Sequence, residues 1–351
     1  MTAPLKPENC EIILGNSNKR FSGVTSTMLQ TLKIQKSLAP VCVLGKAHLS
    51  EEDRDLGLGF VELIKLCRQP LDKGRYRVFH ARRNDEMIQA LILKHIFRIR
   101  LRILFTSTAQ RYHSRFSRWL MSKMDCVIST CAAAAAYLEH KPTQLIPHGI
   151  DSDTYHPSKD RSKEHIQVAM FGRVRAQKGS DIFIKACIDV LPQYPNAKAL
   201  IVGAISPENK SFADQLKQQV ADAGLSEQIQ FTGELNFDEI PKLFRQSHIV
   251  AALSTTEGFG LTILEAMSSG AAVLATEAGA WPEIIEQGKQ GWVVPVGDQE
   301  QVNAKLKLLL NDSEQLEKMG QLGRERILKR YKIEQEAEKL ISLYRSLQLA
   351  N

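Results

Sequence analysis

Short apolar runs alternate along this chain with longer segments whose apolar residues recur at helical spacing. This alternation is typical of βα units, which build parallel sheets. In the first half of the chain, the strand candidates are 10–14, 41–45, 76–80, 101–105, 126–131 and 144–148. The helix candidates between them are about 24–38, 84–97, 111–124 and 132–139.

A second series of strand candidates follows a polar segment without apolar periodicity. That segment, 151–164, carries Pro157 and is interpreted as an interdomain linker. The strand candidates beyond it are 166–172, 199–203, 229–233, 249–254, 271–275 and 292–296. After residue 299 the pattern is helical, and its last amphipathic stretch is about 333–348. The pattern predicts an α/β fold with parallel sheets in both halves. Three strand candidates of the second half end on glycine, at Gly172, Gly203 and Gly233, which favours a nucleotide-binding Rossmann domain there.

Length and composition agree with two globular domains. A chain of 351 residues is too long for one ordinary core, and 43% hydrophobic with 24% charged residues is a globular composition. The sequence shows no leader pattern and no run of about 18 apolar residues, so we expect a cytoplasmic protein, soluble or peripheral. Without a CxxC pair, the six cysteines are interpreted as reduced core thiols: Cys10, Cys42, Cys67, Cys126, Cys131 and Cys187.

Charge is distributed unevenly between the two halves. Residues 1–150 hold 23 Lys and Arg against 12 Asp and Glu, a net charge of +11, whereas the other 201 residues hold 23 against 27, a net charge of −4. A basic half indicates an anionic partner. We expect an anionic membrane surface or glycolipid rather than nucleic acid. Ordinary solvated surface charge is the alternative.

The densest basic stretch is 98–123, with seven cations and no acidic residue. From about residue 111 its apolar residues follow helical spacing: Tyr112, Phe116, Trp119 and Leu120. Three arginines flank this stripe: Arg111, Arg115 and Arg118. Such a segment suits an anionic membrane or a lipid-linked anionic sugar. Alternatively, the stripe packs on its own sheet and leaves only the arginines outside.

Segment 254–276 carries the strongest local signal for chemistry. A strand ends near Ser254, the loop Gly258-Phe259-Gly260 follows, and a helix is predicted to begin near Leu261. Free backbone N–H groups and the positive end of a helix dipole then lie at the strand's carboxyl edge, which favours a diphosphate.

Two carboxylates and two cations accompany this loop. Glu257 and Glu265 could accept hydrogen bonds from vicinal sugar hydroxyls, although a lone pair of this spacing is also common on protein surfaces. Arg173 and Lys178 stand on a glycine-hinged loop after strand 166–172, where they suit phosphate binding. Neither a P-loop nor a GxGxxG motif is present, which weakens a dinucleotide interpretation.

Taken together and in this order, the Arg173/Lys178 loop, EGFGL (257–261) and EAM (265–267) resemble the group 1 retaining glycosyltransferases with the GT-B fold. The likeness is strong over 166 to about 296 and looser in the N-terminal half. It implies two Rossmann-like domains facing across a cleft. The expected bounds are 1–155 for an acceptor domain, 156–332 for a donor domain and 333–351 for a helix returning to the first domain.

The same resemblance assigns roles to the motif residues. Arg173 and Lys178 would bind the donor diphosphate, Glu265 the nucleotide ribose, and Glu257 the transferred sugar. Backbone N–H groups would complete the contacts, from Phe259, Gly260 and Leu261. Asp151-x-Asp153 could elsewhere hold a metal, but the resemblance implies that the two cations suffice and that no metal cofactor is needed.

In the N-terminal half, Gly23 follows Ser22 in a loop similar to the family's glycine loop near the donor phosphates, where Gly-Gly is commoner. His80 stands at a strand end where the family often has a histidine facing the reacting sugar, so it joins Glu257, Arg173 and Lys178 as a catalytic candidate. A structural role for His80 is equally open, with His113 as the alternative histidine.

A finer resemblance concerns HARRNDEM (80–87), FTSTAQRYHSRFSRWL (105–120) and the signature IPHGIDSDTYHP (146–157). These segments are similar to those of bacterial lipopolysaccharide core mannosyltransferases that use GDP-mannose. The resemblance implies transfer of a hexose, mannose, to an anionic lipopolysaccharide core acceptor at the inner face of the plasma membrane. Alternatives are a UDP- or ADP-sugar transferase with a soluble acceptor, a non-catalytic nucleotide-sugar binder, and an NAD-binding protein.

Overall fold

A computed structural model describes residues 10–19, 22–162 and 164–349. These residues form two compact units. The amino unit comprises the described residues up to Gly149 together with those from Ile333 onward, and the carboxyl unit comprises those from Ile150 to Lys332. Within the described ranges, no helix is long and apolar enough to cross a membrane.

The amino unit is built on one parallel sheet with the strand order β3-β2-β1-β4-β5-β6. Its strands are β1 (Ile12–Gly15), β2 (Val41–Leu44), β3 (Gly57–Leu58), β4 (Arg77–Ala81), β5 (Leu101–Ser107) and β6 (Cys126–Ser129). All residues of β1, β2 and β4 are buried, as expected for a parallel sheet covered on both faces.

Five of the predicted amino-half strands are confirmed, and the sixth is wrong. Residues 144–148 form no strand, because Leu145 makes only an isolated bridge to Ser129. The sixth strand is β3, whose two residues are too few to show any periodicity. The first five helices of the unit are α1 (Gly23–Leu38), α2 (Phe60–Cys67), α3 (Asn84–His95), α4 (Arg115–Met121) and α5 (Ala132–Ala135).

Helix α4 is shorter than the predicted 111–124. It begins at Arg115 because the Ser114 hydroxyl caps it, accepting a hydrogen bond from the Ser117 N–H at 3.1 Å. The residues before Ser114 therefore form a loop after β5. Tyr112 lies on this loop, whereas Phe116 and Trp119 lie on the helix.

The carboxyl unit has a second six-stranded parallel sheet, ordered β12-β11-β10-β7-β8-β9. Its strands confirm all six predictions: β7 (Ile166–Phe171), β8 (Ala197–Val202), β9 (Ile229–Gly233), β10 (Ile249–Ala252), β11 (Ala272–Thr276) and β12 (Gly291–Val294). Its helices are α6 (Ser180–Val190), α7 (Lys210–Asp222), α8 (Ile240–Gln246), α9 (Thr262–Ser268), α10 (Trp281–Ile284), α11 (Gln299–Asn311) and α12 (Ser313–Arg330).

Counted from its own first strand, each sheet has the order 3-2-1-4-5-6. This is the doubly wound Rossmann order, in which ligands bind outside the carboxyl ends of the strands at the reversal between the first and fourth. In the amino unit that position lies between β1 and β4, and in the carboxyl unit it lies between β7 and β10.

The last helix, α13 (Ile333–Leu349), belongs to the amino unit and packs on α1 and β4. Its buried residues Leu340, Ile341 and Tyr344 enter the same apolar cluster as Met28 and Leu32 of α1. The predicted return of the C-terminal helix is thus confirmed.

Residues 151–162 pack on the carboxyl unit, in the segment 151–164 where the sequence suggests an interdomain linker. The Arg161 guanidinium donates hydrogen bonds to three backbone carbonyls, those of Arg245, Ser269 and Gly270. These contacts attach the segment to the ends of α8 and α9.

The structure corrects the prediction that all six cysteines are reduced. Cys10 and Cys42 form a disulfide, with their Cα atoms 5.3 Å apart. Cys10 precedes β1 and Cys42 lies in the neighbouring strand β2, so the sheet brings together two residues that are 32 positions apart in sequence. The remaining four are buried and are not disulfide-bonded: Cys67, Cys126, Cys131 and Cys187.

Candidate functional site

Three neighbouring strands of the carboxyl unit end on glycines with positive φ. The φ angles are 136° at Gly172, 157° at Gly203 and 72° at Gly233. A Cβ on Gly203 would overlap the Gly172 carbonyl oxygen, so only glycine permits this approach of the two backbones. The carboxyl edge of the sheet is therefore open to a ligand along its backbone.

The loop after β7 carries the two predicted cations. Arg173 directly follows Gly172 and is exposed, whereas Lys178 ends a single 3₁₀ turn and is partly buried. Gly179 closes that turn with a φ of 72°, and a Cβ there would overlap the Leu253 carbonyl oxygen. The close contact with Leu253 fixes the turn, and with it Lys178, beside the end of β10.

Backbone hydrogen bonds join this loop to the one that follows β10. The Thr255 N–H donates to the Gln177 carbonyl at 2.9 Å, and the Gln177 side-chain amide donates to the Thr256 carbonyl at 2.8 Å. Two segments nearly eighty residues apart are thereby held as one surface.

Lys178 and Glu257 meet on that surface as an ion pair. The Ser254 hydroxyl donates a second hydrogen bond to the same Glu257 carboxylate oxygen, at 2.8 Å. The side chains of Lys178 and Glu257 keep 21% and 14% of their surface exposed, so a ligand can reach both. The sequence-predicted cation and carboxylate are brought together here.

The predicted glycine loop is held by an indole. Trp281 Nε1 donates to the Gly260 carbonyl at 2.9 Å, and a Cβ on Gly260, where φ is 84°, would overlap that ring. Phe259 is buried beside it. Among the described residues, the N–H groups of Gly260 and Leu261 have no acceptor, and α9 begins at the next residue. Two adjacent unpaired N–H groups suit an anionic oxygen.

Glu265 lies in the first turn of α9 and is partly exposed. Burial of its carboxyl group raises the pKa of Glu265 to about 7, while the Tyr155 hydroxyl and the charge of Lys178 act to lower it. Tyr155 donates to Glu265 Oε1 at 3.2 Å. Because the carboxylate can accept several hydrogen bonds, it suits hydroxyl groups that act as donors.

The carboxyl edge of this unit thus combines three kinds of group. Two cations can neutralise phosphate charge, and unpaired backbone N–H groups can donate hydrogen bonds to phosphate oxygens. Two carboxylates can accept hydrogen bonds from a polyol. A sugar or nucleoside esterified to a diphosphate presents both features at once.

In the amino unit, His80 is almost completely buried in β4. Its Nδ1 is hydrogen-bonded to the Tyr344 hydroxyl and its Nε2 to the Thr106 hydroxyl, each at 2.6 Å. Burial, with some repulsion from Arg82, lowers the pKa of His80 well below its ordinary value. Both nitrogens are thus occupied by protein groups, and the role of His80 toward a sugar stays a prediction that these contacts do not favour.

The alternative histidine and the aspartates have local partners. His113 Nε2 lies 3.1 Å from the Ser107 hydroxyl, and burial lowers the pKa of His113. Asp151 accepts hydrogen bonds from the N–H groups of Asp153 and Thr154, each at 3.0 Å, as in a turn stabilised by an aspartate side chain.

Gly23 is the first residue of α1, and a Cβ on it would meet nothing within 4 Å. Its neighbour Ser22 caps the helix and accepts a hydrogen bond from Arg83 at 2.8 Å. Part of the predicted glycine loop, residues 20 and 21, lies outside the described residues. The phosphate role of Gly23 stays a prediction.

The carboxyl edge of the amino unit holds polar atoms that the sequence did not single out. Buried and without a hydrogen-bond partner among the described residues are Asn16 Oδ1, Arg82 Nη1 and Thr130 Oγ1. These residues follow β1, β4 and β6, so they lie along one edge. For Asn16 and Arg82, a position shortly after a strand candidate was the available signal, whereas Thr130 falls inside the candidate 126–131.

The apolar stripe in the basic stretch 98–123 is mostly exposed instead of packed on the sheet of its own unit. Tyr112, Phe116 and Trp119 are 80%, 53% and 54% exposed, whereas Leu120 is buried. Phe116 and Trp119 stack on each other with ring centres 6.0 Å apart. Leu120 is the residue of the stripe that is buried in the unit. Tyr112 packs edge-on against Tyr137, with ring centres 5.2 Å apart, but it stays largely exposed, as do Phe116 and Trp119.

Three residues of the carboxyl-unit site were missed. Ser254 stands three positions before Glu257, a spacing at which a hydroxyl commonly bonds a nearby group, and this could have identified it. Trp281 acts across 21 residues and Tyr155 across 110, so neither left a local signal.

Comparison with known families gives one match. The family described as glycosyl transferases group 1 matches residues 151–326, which include the two loops just described.

Curated relatives match nearly the whole chain. The lipopolysaccharide core biosynthesis mannosyltransferase LpcC of Rhizobium leguminosarum bv. viciae is 38% identical over 347 residues, covering 96% of each protein. The lipopolysaccharide core biosynthesis mannosyltransferase LpsB of Rhizobium meliloti is 37% identical over 350 residues, covering 96% of this chain and 97% of that one.

Solved structures agree on the fold. The C-terminal domain of LpcC from Francisella tularensis is 38% identical, covers 53% of this chain and all of its own, and superposes with a TM-score of 0.51. Anabaena Alr3699/HepE in complex with UDP is 19% identical over 96% of this chain and all of its own, with a TM-score of 0.83. At that identity the likeness concerns the two-domain α/β fold alone.

Proposed function

This chain belongs to the group 1 glycosyl transferase family, and on that basis we propose that it transfers mannose from GDP-mannose to the core of a lipopolysaccharide. The observation that carries the proposal is the identity of 38% and 37% to two core mannosyltransferases over 96% of the chain. The paired loops of the carboxyl unit supply the groups that such a donor needs.

In this proposal the donor binds at the carboxyl edge of the carboxyl unit. Arg173 and Lys178 neutralise the diphosphate, Glu265 accepts hydrogen bonds from the ribose hydroxyls, and Glu257 accepts them from the transferred sugar. The backbone N–H groups that complete the phosphate contacts are those of Phe259, Gly260 and Leu261. Support comes from the contact between Lys178 and Glu257 and from the unpaired N–H groups beside them.

We further propose that the sugar is transferred with retention and without a metal cofactor. The bond between the anomeric carbon and the diphosphate oxygen breaks, and the acceptor oxygen bonds to the same face of that carbon. The acceptor's proton passes to the departing diphosphate, so GDP leaves with the proton. Arg173 and Lys178 stabilise the charge that develops on that diphosphate, and Glu257 orients the sugar without attacking it.

Product analysis tests the reaction directly. Purified protein is incubated with GDP-mannose carrying ¹³C at the anomeric carbon and with deacylated lipopolysaccharide core, and the product is examined by NMR. We expect the anomeric configuration of the donor, with turnover unchanged by EDTA. An inverted anomer would overturn retention. Loss of turnover in EDTA that Mg²⁺ or Mn²⁺ restores would overturn metal independence.

Donor identity is tested by a thermal-shift series with GDP-, UDP- and ADP-sugars and with NAD. We expect GDP-mannose to raise the melting temperature most. A larger shift with another nucleotide sugar would replace GDP-mannose as the donor, and a shift with NAD alone would overturn the proposed site.

The acceptor is proposed to bind at the carboxyl edge of the amino unit. Support comes from the unpaired atoms Asn16 Oδ1, Arg82 Nη1 and Thr130 Oγ1, which offer an acceptor, a charged donor and a hydroxyl to a sugar with an anionic substituent. Buried polar atoms without partners are costly, and a ligand that pairs them recovers that cost.

We propose that the aromatic and basic patch around α4 binds the inner face of the plasma membrane. Three exposed aromatic rings stand beside Arg111, Arg115 and Arg118, although Arg118 also pairs with Glu139 at 2.6 Å. Aromatic rings suit the interfacial region of a bilayer, and each basic residue near an anionic surface contributes about 1 kcal/mol.

Flotation with anionic liposomes at low salt tests the membrane proposal. We expect recovery with anionic vesicles to exceed recovery with neutral ones, to fall at high salt as charges are screened, and to fall when Arg111, Arg115 and Arg118 are changed to Glu. A matched variant changes three exposed lysines of the carboxyl unit to Glu: Lys185, Lys210 and Lys289. Equal losses in both variants would contradict a patch-specific contact.

A further inference from the structure

Tyr155 makes a contact that the donor-site motifs do not include. Its hydroxyl donates to Glu265 Oε1 at 3.2 Å, although the two residues are 110 positions apart. Glu265 is the carboxylate proposed to bind ribose, so the inference below rests on the proposed function.

The backbone of Tyr155 is held on three sides. Its N–H donates to the Asp151 carbonyl at 3.0 Å, and its carbonyl accepts from the Ser268 hydroxyl at 2.6 Å and from Arg324 Nη1 at 2.7 Å. Ser268 ends the helix that carries Glu265, so Tyr155 is attached to the same helix as the carboxylate that it contacts.

The ring of Tyr155 is held as well. It packs edge-on against Phe244, with ring centres 5.6 Å apart and planes at 75°. Phe244 is completely buried and stacks on Phe171 at 3.7 Å. The contacts of the backbone and of the ring therefore fix the position of the Tyr155 hydroxyl. A hydroxyl in a fixed position can orient the Glu265 carboxylate that accepts from it.

This contact makes the two carboxylate oxygens of Glu265 different in their hydrogen bonding. Oε1 accepts a hydrogen bond from Tyr155, whereas no described residue donates one to Oε2. A vicinal diol needs two acceptor directions from one carboxylate. A carboxylate held at one oxygen presents its remaining lone pairs in one orientation, which reduces the entropy lost when the diol binds.

We propose that Tyr155 is a positioning residue that orients Glu265 for the ribose hydroxyls of the nucleotide. The residue touches neither the sugar nor the diphosphate in this account. It acts through Glu265, and its influence should therefore disappear when either Glu265 or the ribose diol is removed.

Tyr155→Phe tests this proposal because it removes the hydroxyl and keeps the ring. Affinities for GDP and for 2′,3′-dideoxy-GDP are measured by calorimetry. We expect GDP to bind about three- to tenfold more weakly to the variant, on the scale of one hydrogen bond, and dideoxy-GDP to bind equally to both proteins. In the Glu265→Gln background, Tyr155→Phe should change neither affinity.

A second readout is the pH at which GDP affinity is half its maximum. The Tyr155 hydrogen bond lowers the pKa of Glu265, against burial, and Lys178 is the charged group that also acts on it. Tyr155→Phe should therefore move that midpoint to higher pH. A purely structural role would leave the midpoint in place.

Tyr194→Phe is the matched control, because Tyr194 donates its hydroxyl to Asn311 at 2.8 Å on an exposed surface of the same unit. It should leave both affinities unchanged. Equal GDP binding by wild type and Tyr155→Phe, or equal weakening of GDP and dideoxy-GDP, would overturn the positioning role. If wild type binds none of GDP, UDP and ADP, the donor site itself is wrong.

Discussion

The two sheets share one strand order, yet their carboxyl edges carry different chemistry. In the carboxyl unit the first strand is followed by the cations Arg173 and Lys178, and the fourth strand by Glu257. In the amino unit the first strand is followed by the neutral Asn16, and the fourth by Arg82 and Arg83. The topology determines where the loops meet, and the residues on them determine which ligand fits.

The two edges also differ in how deeply their ion pairs are buried. Arg83 pairs with Glu86 at 3.2 Å, but the Glu86 side chain is completely buried and also accepts from the Arg82 N–H. Burial raises the pKa of Glu86. Lys178 and Glu257 remain partly exposed. A buried pair is costly to separate, whereas a partly exposed pair can exchange partners with a ligand.

The largest effect is expected from the carboxyl-unit cations. Lys178→Ala and Arg173→Ala should each lower kcat by about 10²-fold or more, because each removes a cation that stabilises the negative charge of the departing diphosphate. Lys185→Ala is the control, since Lys185 is exposed and pairs with Asp189 on the surface of α6. Turnover near that of wild type in either cation variant would place the phosphate site elsewhere.

The amino-unit edge should respond differently. Arg82→Ala is expected to lower kcat/KM for the lipopolysaccharide acceptor roughly tenfold or more, as for loss of a charged hydrogen bond, and to leave GDP affinity unchanged. Arg75→Ala, which removes a partly buried pair with Glu11 away from this edge, serves as the control. If Arg82→Ala lowered the affinity for GDP and left kcat/KM for the acceptor unchanged, the assignment of the donor to one edge and the acceptor to the other would be wrong.

The pKa of Glu265 predicts a pH dependence for the carboxyl unit alone. With a pKa of about 7, this carboxyl group is mostly ionised at pH 8 and mostly protonated at pH 6. Since only the ionised form accepts two hydrogen bonds from a diol, GDP affinity should fall about tenfold between pH 8 and pH 6. Calorimetry on wild type and Glu265→Gln tests this, and the same slope in both would exclude Glu265 as the cause.

The smallest effect is expected at His80, as a change in stability. His80→Gln should lower the free energy of unfolding by about 1 kcal/mol at pH 7, because Tyr344 or Thr106 loses its partner. The folded-state pKa of His80 lies below its unfolded value, so the unfolded chain binds more protons and wild type loses stability as pH falls below about 6.5. The variant should lack that part of the loss.

Urea titrations at pH 7 and pH 5 measure this, with the exposed His140→Gln as the control. Loss of turnover in His80→Gln without any change in unfolding would instead support a catalytic role for His80.

Sequence periodicity predicted most of the architecture because parallel strands buried on both faces are continuous apolar runs. It failed at β3, whose two residues carry no pattern, and at 144–148, an apolar run that does not join the sheet. It also failed for Cys10 and Cys42, whose pairing depends on which strands are neighbours.

The site was predictable where its residues are close in sequence. Glu257, Gly260 and Glu265 fall within nine residues of one loop and helix. Their spacing, together with the cation loop of Arg173 and Lys178, predicts a phosphate and polyol site. Tyr155 could not be predicted in the same way, because its partner is 110 positions away and its segment has no periodicity. The contacts of His80 depend equally on the distant α13.

The return of α13 to the amino unit imposes an order on synthesis. Residues 333–349 leave the ribosome after every residue of the carboxyl unit, yet Leu340, Ile341 and Tyr344 belong to the apolar cluster built on α1. Synthesis of the amino unit starts first, but its core is completed last. Until α13 has been synthesised, the apolar face of α1 stays uncovered. We expect that interval to be when the growing chain most needs a chaperone.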